Sequence, residues 1–299
     1  MIDVTAAAER LRPYAAPTPL VRALLLGVHV KNETVSPIAS FKWRGALNAL
    51  LREGSRRGVV TSSTGNHGQG VAWAARVTGI PAHIFLPLGA NPTKRRKIEL
   101  LGADVHEMGH DLDAAKELAI VFARDEGMTF VDDGESEAVI EGAGTVGLEI
   151  ANALDRIDVV YVPMGSGSLA SGVAIAIKEK HPDARVVAVQ SKGSPAMVES
   201  FHARRAIERP IDTVADGLMC RVPAQLALDL LVQHVDDAMT IPDAEILHAA
   251  REMILSAHLL VEPSGAAGLA AWLRRRESHA VVIATGANIT PELFGRLYG

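Results

Sequence analysis

The stretch Val159-Val160-Tyr161-Val162-Pro163-Met164-Gly165-Ser166-Gly167-Ser168-Leu169 decides how this chain is read. Its first five residues are apolar without alternation, the pattern of a strand buried on both faces. A glycine-serine loop follows at once, and apolar positions from Leu169 onward recur at helical spacing. Strand, tight loop and helix in that order make half of a parallel α/β unit. The same unit recurs outward in both directions. Short apolar runs at 59–61, 83–86, 104–107, 129–132, 159–163, 186–190, 238–241 and 280–284 alternate with helix-periodic segments at 71–77, 93–101, 113–124, 145–154 and 169–179. The expected fold is α/β, with two lobes, each a mostly parallel sheet flanked by helices, and a ligand in the cleft between them. The polar run Asp132-Asp133-Gly134-Glu135-Ser136-Glu137 reads as a crossing between lobes. The expected division is a small domain at 54–135 that closes over the substrate and a large ligand-binding domain at 1–53 and 136–299.

A second strand-loop-helix junction lies upstream. Ser62-Ser63-Thr64-Gly65-Asn66-His67-Gly68 follows a strand-like run and opens a helix, the place where open α/β sheets bind ligands. Backbone N–H groups and the helix dipole suit an anion there, such as a carboxylate. The hydroxyls of Ser63 and Thr64 add donors, and the Asn66 amide offers a donor and an acceptor. Ordinary capping explains the serines and the asparagine, but not Gly65, Gly68 and Gly70 in close succession. In Gly165-Ser166-Gly167-Ser168 the glycines let the backbone approach a phosphate. The spacing matches neither an ATP-binding loop nor a dinucleotide loop, so a phosphate monoester fits better, with a plain tight turn as the alternative. Lys42 sits in Ala39-Ser40-Phe41-Lys42-Trp43-Arg44-Gly45-Ala46, between two bulky aromatics in a chain of only 4% aromatic residues. Apolar surroundings disfavour a charged amine, and a neutral amine is what Schiff-base formation requires. A reactive lysine with two backbone cradles points to a phosphorylated aldehyde, pyridoxal 5′-phosphate (PLP).

Composition narrows the remaining classes. With 299 residues and 48% hydrophobic content, the chain can bury the core of two lobes. A formal net charge of −5 argues against nucleic acid as the main ligand. The clusters Arg56-Arg57, Lys94-Arg95-Arg96-Lys97 and Arg274-Arg275-Arg276 read as solvated faces. No apolar run reaches the ~18 residues of a membrane span, and the N-terminus lacks a signal pattern. Cys220 is the only cysteine, so no intrachain disulfide can form and the residue reads as a small core filler. The expectation is a soluble cytoplasmic protein without a membrane or nucleic-acid partner.

Together these segments resemble the fold-type II PLP-dependent enzymes, and within them the serine/threonine dehydratases and serine racemases. The resemblance runs from Thr18-Pro19-Leu20 to Thr285-Gly286-Ala287-Asn288. Ser40-Phe41-Lys42-x-Arg44-Gly45-Ala46 is similar to the Schiff-base lysine motif, Thr64-Gly65-Asn66-His67-Gly68 to the substrate and cofactor loop, and Gly165-Ser166-Gly167-Ser168-Leu169 to the phosphate loop. Glu262-Pro263-Ser264-Gly265-Ala266 and Thr285-Gly286-Ala287-Asn288 match two later landmarks. The resemblance implies that Lys42 carries the cofactor, Phe41 packs on its ring and Asn66 bonds the ring hydroxyl. It implies further that Gly165, Ser166, Gly167, Ser168 and Leu169 hold the phosphate, that Glu262 lies at the cofactor, and that Thr285 meets the pyridine nitrogen. Ser63, Thr64, Asn66 and His67 then receive the carboxylate of an amino-acid substrate. No metal ligand is expected, and the expected assembly is a homodimer.

The chain also departs from that pattern. Ser166 and Ser168 interrupt what is usually a run of four glycines, and side chains restrict positive φ. Gly142-Ala143-Gly144-Thr145 stands for Gly-Gln-Gly-Thr, and Ala39 for a glycine. Gln190 ends a strand where the relatives often place an acidic cation ligand, which argues for independence from divalent cations. No regulatory extension is expected, and so no isoleucine feedback. In the implied chemistry the cofactor is the electron sink and the protein selects the bond that breaks. The freed Lys42 amine is the base at Cα. A Thr285 hydroxyl cannot hold a pyridinium proton as an aspartate would, which favours loss of a β-hydroxyl. The expected activity is a serine/threonine-type dehydratase (ammonia-lyase) yielding a 2-oxo acid. The alternatives are an amino-acid racemase, with Thr64 as the acid/base on the opposite ring face, a β-replacement enzyme, and a non-catalytic α/β binding protein.

Overall fold

Two sheets organise the chain in the computed structural model, which describes residues 2–53 and 57–298; Arg56 of the Arg56-Arg57 pair lies outside them. The larger sheet runs β1 (Leu20–Ala23), β2 (Val28–Asn32), β10 (Ala280–Ala284), β7 (Val159–Pro163), β8 (Arg185–Ser191), β9 (Asp237–Ile241). β1 and β2 form an antiparallel hairpin, and the other neighbours pair in parallel. The smaller sheet runs β5 (Asp104–Glu107), β4 (Ala82–Leu86), β3 (Val59–Ser62), β6 (Thr129–Phe130) and is parallel throughout. All five residues of β7 are buried, as their unbroken apolar run requires.

Each expected strand is present, with one shortened and two unforeseen. The run at 129–132 ends as a strand at Phe130, because Asp132 Oδ1 accepts the backbone N–H groups of Gly134 and Glu135 and starts a turn. The β1–β2 hairpin escapes a periodicity reading because Leu24-Leu25-Leu26 fuses its two strands into one apolar stretch. Leu24 and Leu25 are nevertheless 80% and 75% exposed, at the turn.

The helices are α1 (Val4–Leu11), α2 (Lys42–Glu53), α3 (Asn66–Thr78), α4 (Pro92–Leu100), α5 (Leu112–Glu126), α6 (Glu137–Ala153) and α7 (Ser168–Lys180), then α8 (Ala196–Ala203), α9 (Gln225–His234), α10 (Asp243–Ala257), α11 (Pro263–Arg275) and α12 (Pro291–Tyr298). α3 and α6 begin well before their expected segments at 71–77 and 145–154. Gly68 and Gly70 of α3 and Gly142, Gly144 and Gly147 of α6 interrupt apolar periodicity while bringing backbones together. Apolar clusters fill both faces of the larger sheet. On the smaller sheet, Trp43, Leu47 and Leu50 of α2 share a core with Val59, Ile84 and Leu86.

α6 is the shaft between the sheets, packed against α2 on one side and α7 on the other. A Cβ at Gly142 would lie 2.3 Å from the Arg44 carbonyl oxygen, and one at Gly172 would lie 2.4 Å from that of Ile140. Gly142-Ala143-Gly144-Thr145 is therefore a packing motif. Arg95 pairs with Glu99 and Glu107, Arg274 with Glu245 and Arg275 with Asp237, as solvated helix faces do. Lys94 and Lys97 differ from that expectation and turn into the cleft.

Gly142→Ala is expected to push α2 from α6 and destabilise the fold by ~1–3 kcal/mol in urea denaturation. Gly295→Ala, where a Cβ meets nothing within 4 Å, is expected to be neutral or stabilising by up to ~1 kcal/mol. Equal losses at both positions would contradict a tight α2–α6 contact.

Candidate active site

Both sheets reverse their strand order once. β7, β8 and β9 progress in one direction with β10 on the far side of β7, and β3, β4 and β5 progress with β6 on the far side of β3. A crevice forms at such a point, at the carboxyl ends of the strands. The segments leaving β3, β6, β7 and β10 line one cavity of about 450 Å³ together with Phe41 and Lys42. The expected residues Ser63, Thr64, Asn66, His67, Gly165, Ser166, Gly167, Ser168, Leu169, Glu262 and Thr285 all reach it.

Lys42 opens α2, and the loop before it is zipped to the loop after β10. The Phe41 N–H donates to the Thr285 carbonyl (3.0 Å), that of Ala287 to the Ala39 carbonyl (2.8 Å), and Asn288 Nδ2 to the Ile38 carbonyl (2.8 Å). Ala39 adopts φ +52°, a left-handed conformation costing a non-glycine residue ~1–2 kcal/mol. This explains why the related pattern has glycine there. Two residues beyond Lys42, the buried Arg44 guanidinium bonds Glu33 (2.9 and 3.0 Å), Glu149 (2.6 and 3.0 Å) and the Thr145 hydroxyl (2.9 Å). Lys31 also pairs with Glu149. Burial pulls the Arg44 pKa down, but the two glutamates outweigh it and hold it above the ordinary value.

Two helix starts meet in the cavity. α3 begins after Gly65 and α7 after Gly167, and no side chain among the described residues caps either. Asp3, Asn91, Asp111 and Ser136 cap α1, α4, α5 and α6, while α8 to α11 also begin without a side-chain cap. The uncapped first-turn N–H groups are free for an anion. In the loop after β7 the left-handed position falls on Gly167 (φ +96°), and Ser166 and Ser168 need no positive φ. A Cβ at Gly165 would lie 2.5 Å from the Gly217 carbonyl oxygen. The two serines thus replace glycine without backbone strain.

Asp133 was not among the expected residues. Its carboxylate forms an ion pair with Lys42 Nζ, accepts from Ser166 Oγ (2.8 Å) and Ser168 Oγ (3.3 Å), and lies 3.6 Å from His67 Nδ1. Burial raises its pKa, but Lys42 and His67 outweigh that and hold it well below the usual carboxylate range. The lysine amine therefore faces a carboxylate as well as the Phe41 ring, whose centroid is 5.0 Å away, and its setting is less apolar than its neighbours in sequence imply. The polar run from Asp132 marked the segment, but not its contact with Lys42.

Asn66 is fixed at both ends. Its Nδ2 donates to Glu262 Oε1 (2.7 Å) and its Oδ1 accepts from Asn288 Nδ2 (2.8 Å), while Asn288 Oδ1 accepts from Lys97 Nζ (2.9 Å). One N–H remains for a ligand. Burial, and then the Asp216 charge, push the Glu262 pKa up to about 7. His67 Nε2 donates to the Val131 carbonyl (3.1 Å), and its Nδ1 has no hydrogen-bond partner among the described residues. Ser63 Oγ accepts from the Gly65 N–H (3.2 Å). Lys94–Asp216 and Arg221–Asp113 ion pairs span the cleft. Gln190 is turned to internal bonds, donating to the Leu218 carbonyl (3.3 Å) and accepting from Val198 N–H (3.2 Å). Among the described residues no cluster of His, Cys, Asp or Glu could hold a metal ion. Burial pushes the Cys220 thiol up to about 12; the residue packs in the core and also borders the cavity.

An amine, a glycine-serine cradle at a free helix start and a buried hydroxyl at the end of β10 fit PLP, and the two-lobed parallel architecture is that of the fold-type II PLP enzymes. The chain belongs to the pyridoxal-phosphate dependent enzyme family, whose pattern matches residues 11–286. It is 37% identical over 279 residues to an L-threonine ammonia-lyase of Thermotoga maritima, covering 90% of this chain and 69% of the relative. It is 32% identical over 307 residues to the catabolic L-threonine dehydratase TdcB of Staphylococcus aureus, covering 96% and 88%. The structure of maize serine racemase superposes with a TM-score of 0.91 at 31% identity, covering 98% of this chain and 94% of that one.

A carboxyl group whose folded pKa lies above its unfolded value stabilises the fold below the unfolded value, and that stability is lost as pH rises through the folded one. For Glu262 the window is about 4.5 to about 7. In protein stripped of cofactor, Glu262→Gln is expected to gain on the wild type by roughly 2–3 kcal/mol between pH 5 and pH 8 in urea denaturation. Parallel stability curves would contradict a raised carboxyl.

Proposed function

We propose that this chain is a PLP-dependent ammonia-lyase that removes the β-hydroxyl of L-threonine, L-serine or a related 3-hydroxy amino acid, giving a 2-oxo acid and ammonia. The observation that carries the reading is that Lys42 and two uncapped helix starts share one cavity. Its relatives named above as an L-threonine ammonia-lyase and an L-threonine dehydratase support it.

In this reading Gly165, Ser166, Gly167, Ser168 and Leu169 hold the phosphate, and Lys42 attaches the cofactor. Phe41 would pack on the ring, Asn66, anchored by Glu262, would give its remaining N–H to the ring oxygen, and the Thr285 hydroxyl would serve the ring nitrogen. Ser63, Thr64, Asn66 and His67, at the start of α3, receive the substrate carboxylate. When bound, the cofactor supplies an electron sink for charge developing at the substrate Cα. The Lys42 amine would serve as the base that takes the Cα proton of the substrate. The neutral Thr285 hydroxyl would not hold a proton at the ring nitrogen as a carboxylate would, which suits loss of a β-hydroxyl better than return of the proton.

A racemase is the second reading, supported by the likeness to maize serine racemase and by Thr64 lining the cavity. The β-methyl of Thr64 stiffens its χ1, which suits carboxylate binding better than proton transfer. Under the same proposal residues 54–135 form the small domain and 1–53 with 136–299 the large one. The separate sheets and the cross-cleft pairs support this division, whereas the core that α2 shares with β3 and β4 ties that helix to the small lobe. We also propose a cytoplasmic homodimer. No helix among the described residues is long and apolar enough to cross a membrane, and the exposed Leu24 and Leu25 beside edge strand β1 offer a surface for a second copy.

Lys42→Ala is expected to abolish both the visible absorbance of bound cofactor and 2-oxo acid formation, with borohydride reduction and peptide mapping placing the pyridoxyl group on Lys42 of the wild type. Label on another lysine would overturn the assignment. With L-serine in deuterated buffer, chiral chromatography is expected to show pyruvate forming faster than D-serine. The opposite order would favour the racemase.

A further inference from the structure

We propose that Asp133 is an internal competitor of the cofactor, occupying both the donors that would hold its phosphate and the amine that would carry it. The proposal rests on the reading of 165–169 as the phosphate cradle and of Lys42 as the attachment point. Nothing in that reading needs an aspartate here. Yet the two Asp133 oxygens take the hydroxyls of Ser166 and Ser168, and one of them also pairs with Lys42 Nζ. Three groups that favour an anion, Lys42, Ser166 and Ser168, converge on a single carboxylate, with His67 Nδ1 3.6 Å away.

A phosphate brought to the same hydroxyls would place two anions within a hydrogen bond of each other, which a partly dehydrated cleft disfavours strongly. One must leave. Asp133 has a way out, because its side chain remains 24% exposed and rotation about χ1 moves the carboxylate without moving the chain. The backbone is held meanwhile by its neighbour. Asp132 accepts the N–H groups of Gly134 and Glu135 and pairs with Lys116. Capture of PLP is then an exchange of one anion for another. An ammonium paired with a carboxylate is also a poor nucleophile, so the same move that clears the cradle frees the amine.

The exchange separates experimentally into two parts. Protein freed of cofactor by dialysis against cysteine is titrated with PLP and with pyridoxal, which has no phosphate, following the absorbance of the bound species. Asp133→Asn and Asp133→Ala are expected to tighten PLP about tenfold. Pyridoxal is expected to tighten only a few-fold, through Lys42 alone. Inorganic phosphate is expected to raise the melting temperature of either variant by several degrees more than that of the wild type. Asp132→Asn, one residue away, is expected to leave the PLP-to-pyridoxal ratio unchanged. PLP affinity equal to or weaker than wild type in both Asp133 variants would overturn the proposal, as would equal tightening by Asp132→Asn. Lys42→Ala distinguishes the two levels. If it keeps the absorbance of bound cofactor, the reading of the site fails; if it loses it while Asp133→Asn gains nothing, only the competition fails.

Discussion

The Arg44 guanidinium is the constraint on which the rest of the molecule depends. It is 2% exposed, and Glu33 beside it is fully buried. Two cations, Arg44 and Lys31, meet two anions, Glu33 and Glu149, so the cluster is neutral as a whole. Dehydrating such charges is costly and is offset only by near-complete pairing. The pairing in turn joins parts that would otherwise be independent: β2 through Lys31, the turn after it through Glu33, α2 through Arg44, and α6 through Thr145 and Glu149. Arg44 can reach Glu149 only because α2 and α6 touch backbone to backbone at Gly142. A charge cluster that admits no slack and a helix contact that admits no side chain together fix where α2 starts, and so where the Lys42 amine points.

The cleft shows a second regularity. The starts of α3 and α7 open into it without side-chain caps, and most of its lysines are paired. Lys94 is paired with Asp216, Lys116 with Asp132 and Lys42 with Asp133. An entering anion therefore finds oriented dipoles that cost no reorganisation, and it must displace or avoid carboxylates already in place. Binding strength and selectivity arise from different parts of the same cavity, the dipoles from the fold and the carboxylates from individual side chains.

Much of this was legible in sequence because it follows from periodicity and order. The unbroken apolar run of β7, the glycine-serine loop behind it and the lysine segment are local patterns, and each lies in the cavity where strand-loop-helix logic puts it. What escaped depends on neighbours distant in the chain. Nothing near Asp133 in sequence says that its carboxylate will meet Lys42, because the encounter is made by β6 lying beside β3. Lys94 and Lys97 read as part of a basic surface run, since a helix face is assigned to water unless its partner is known. The β1–β2 hairpin was hidden by apolar residues at its turn, where burial and hydropathy part company. Ala39 was visible as a departure, but its left-handed backbone became apparent only in three dimensions.

The larger sheet has one further consequence, for the order in which the protein can assemble. β10 lies between β2 and β7, so residues 28–32 stay detached from the strands made later until residues 280–284 have been synthesised. The strands of the smaller sheet all fall between residues 59 and 130 and can pair long before that. Contacts across so large a sequence separation form slowly, because the intervening chain must first be organised. The zipper between the lysine loop and residues 285–288 belongs to the same late step. A nascent chain thus holds a small lobe that can already form, an unattached β1–β2 hairpin and an unset Lys42 until β10 inserts, and the cavity comes into being only after residues 280–288 have joined it.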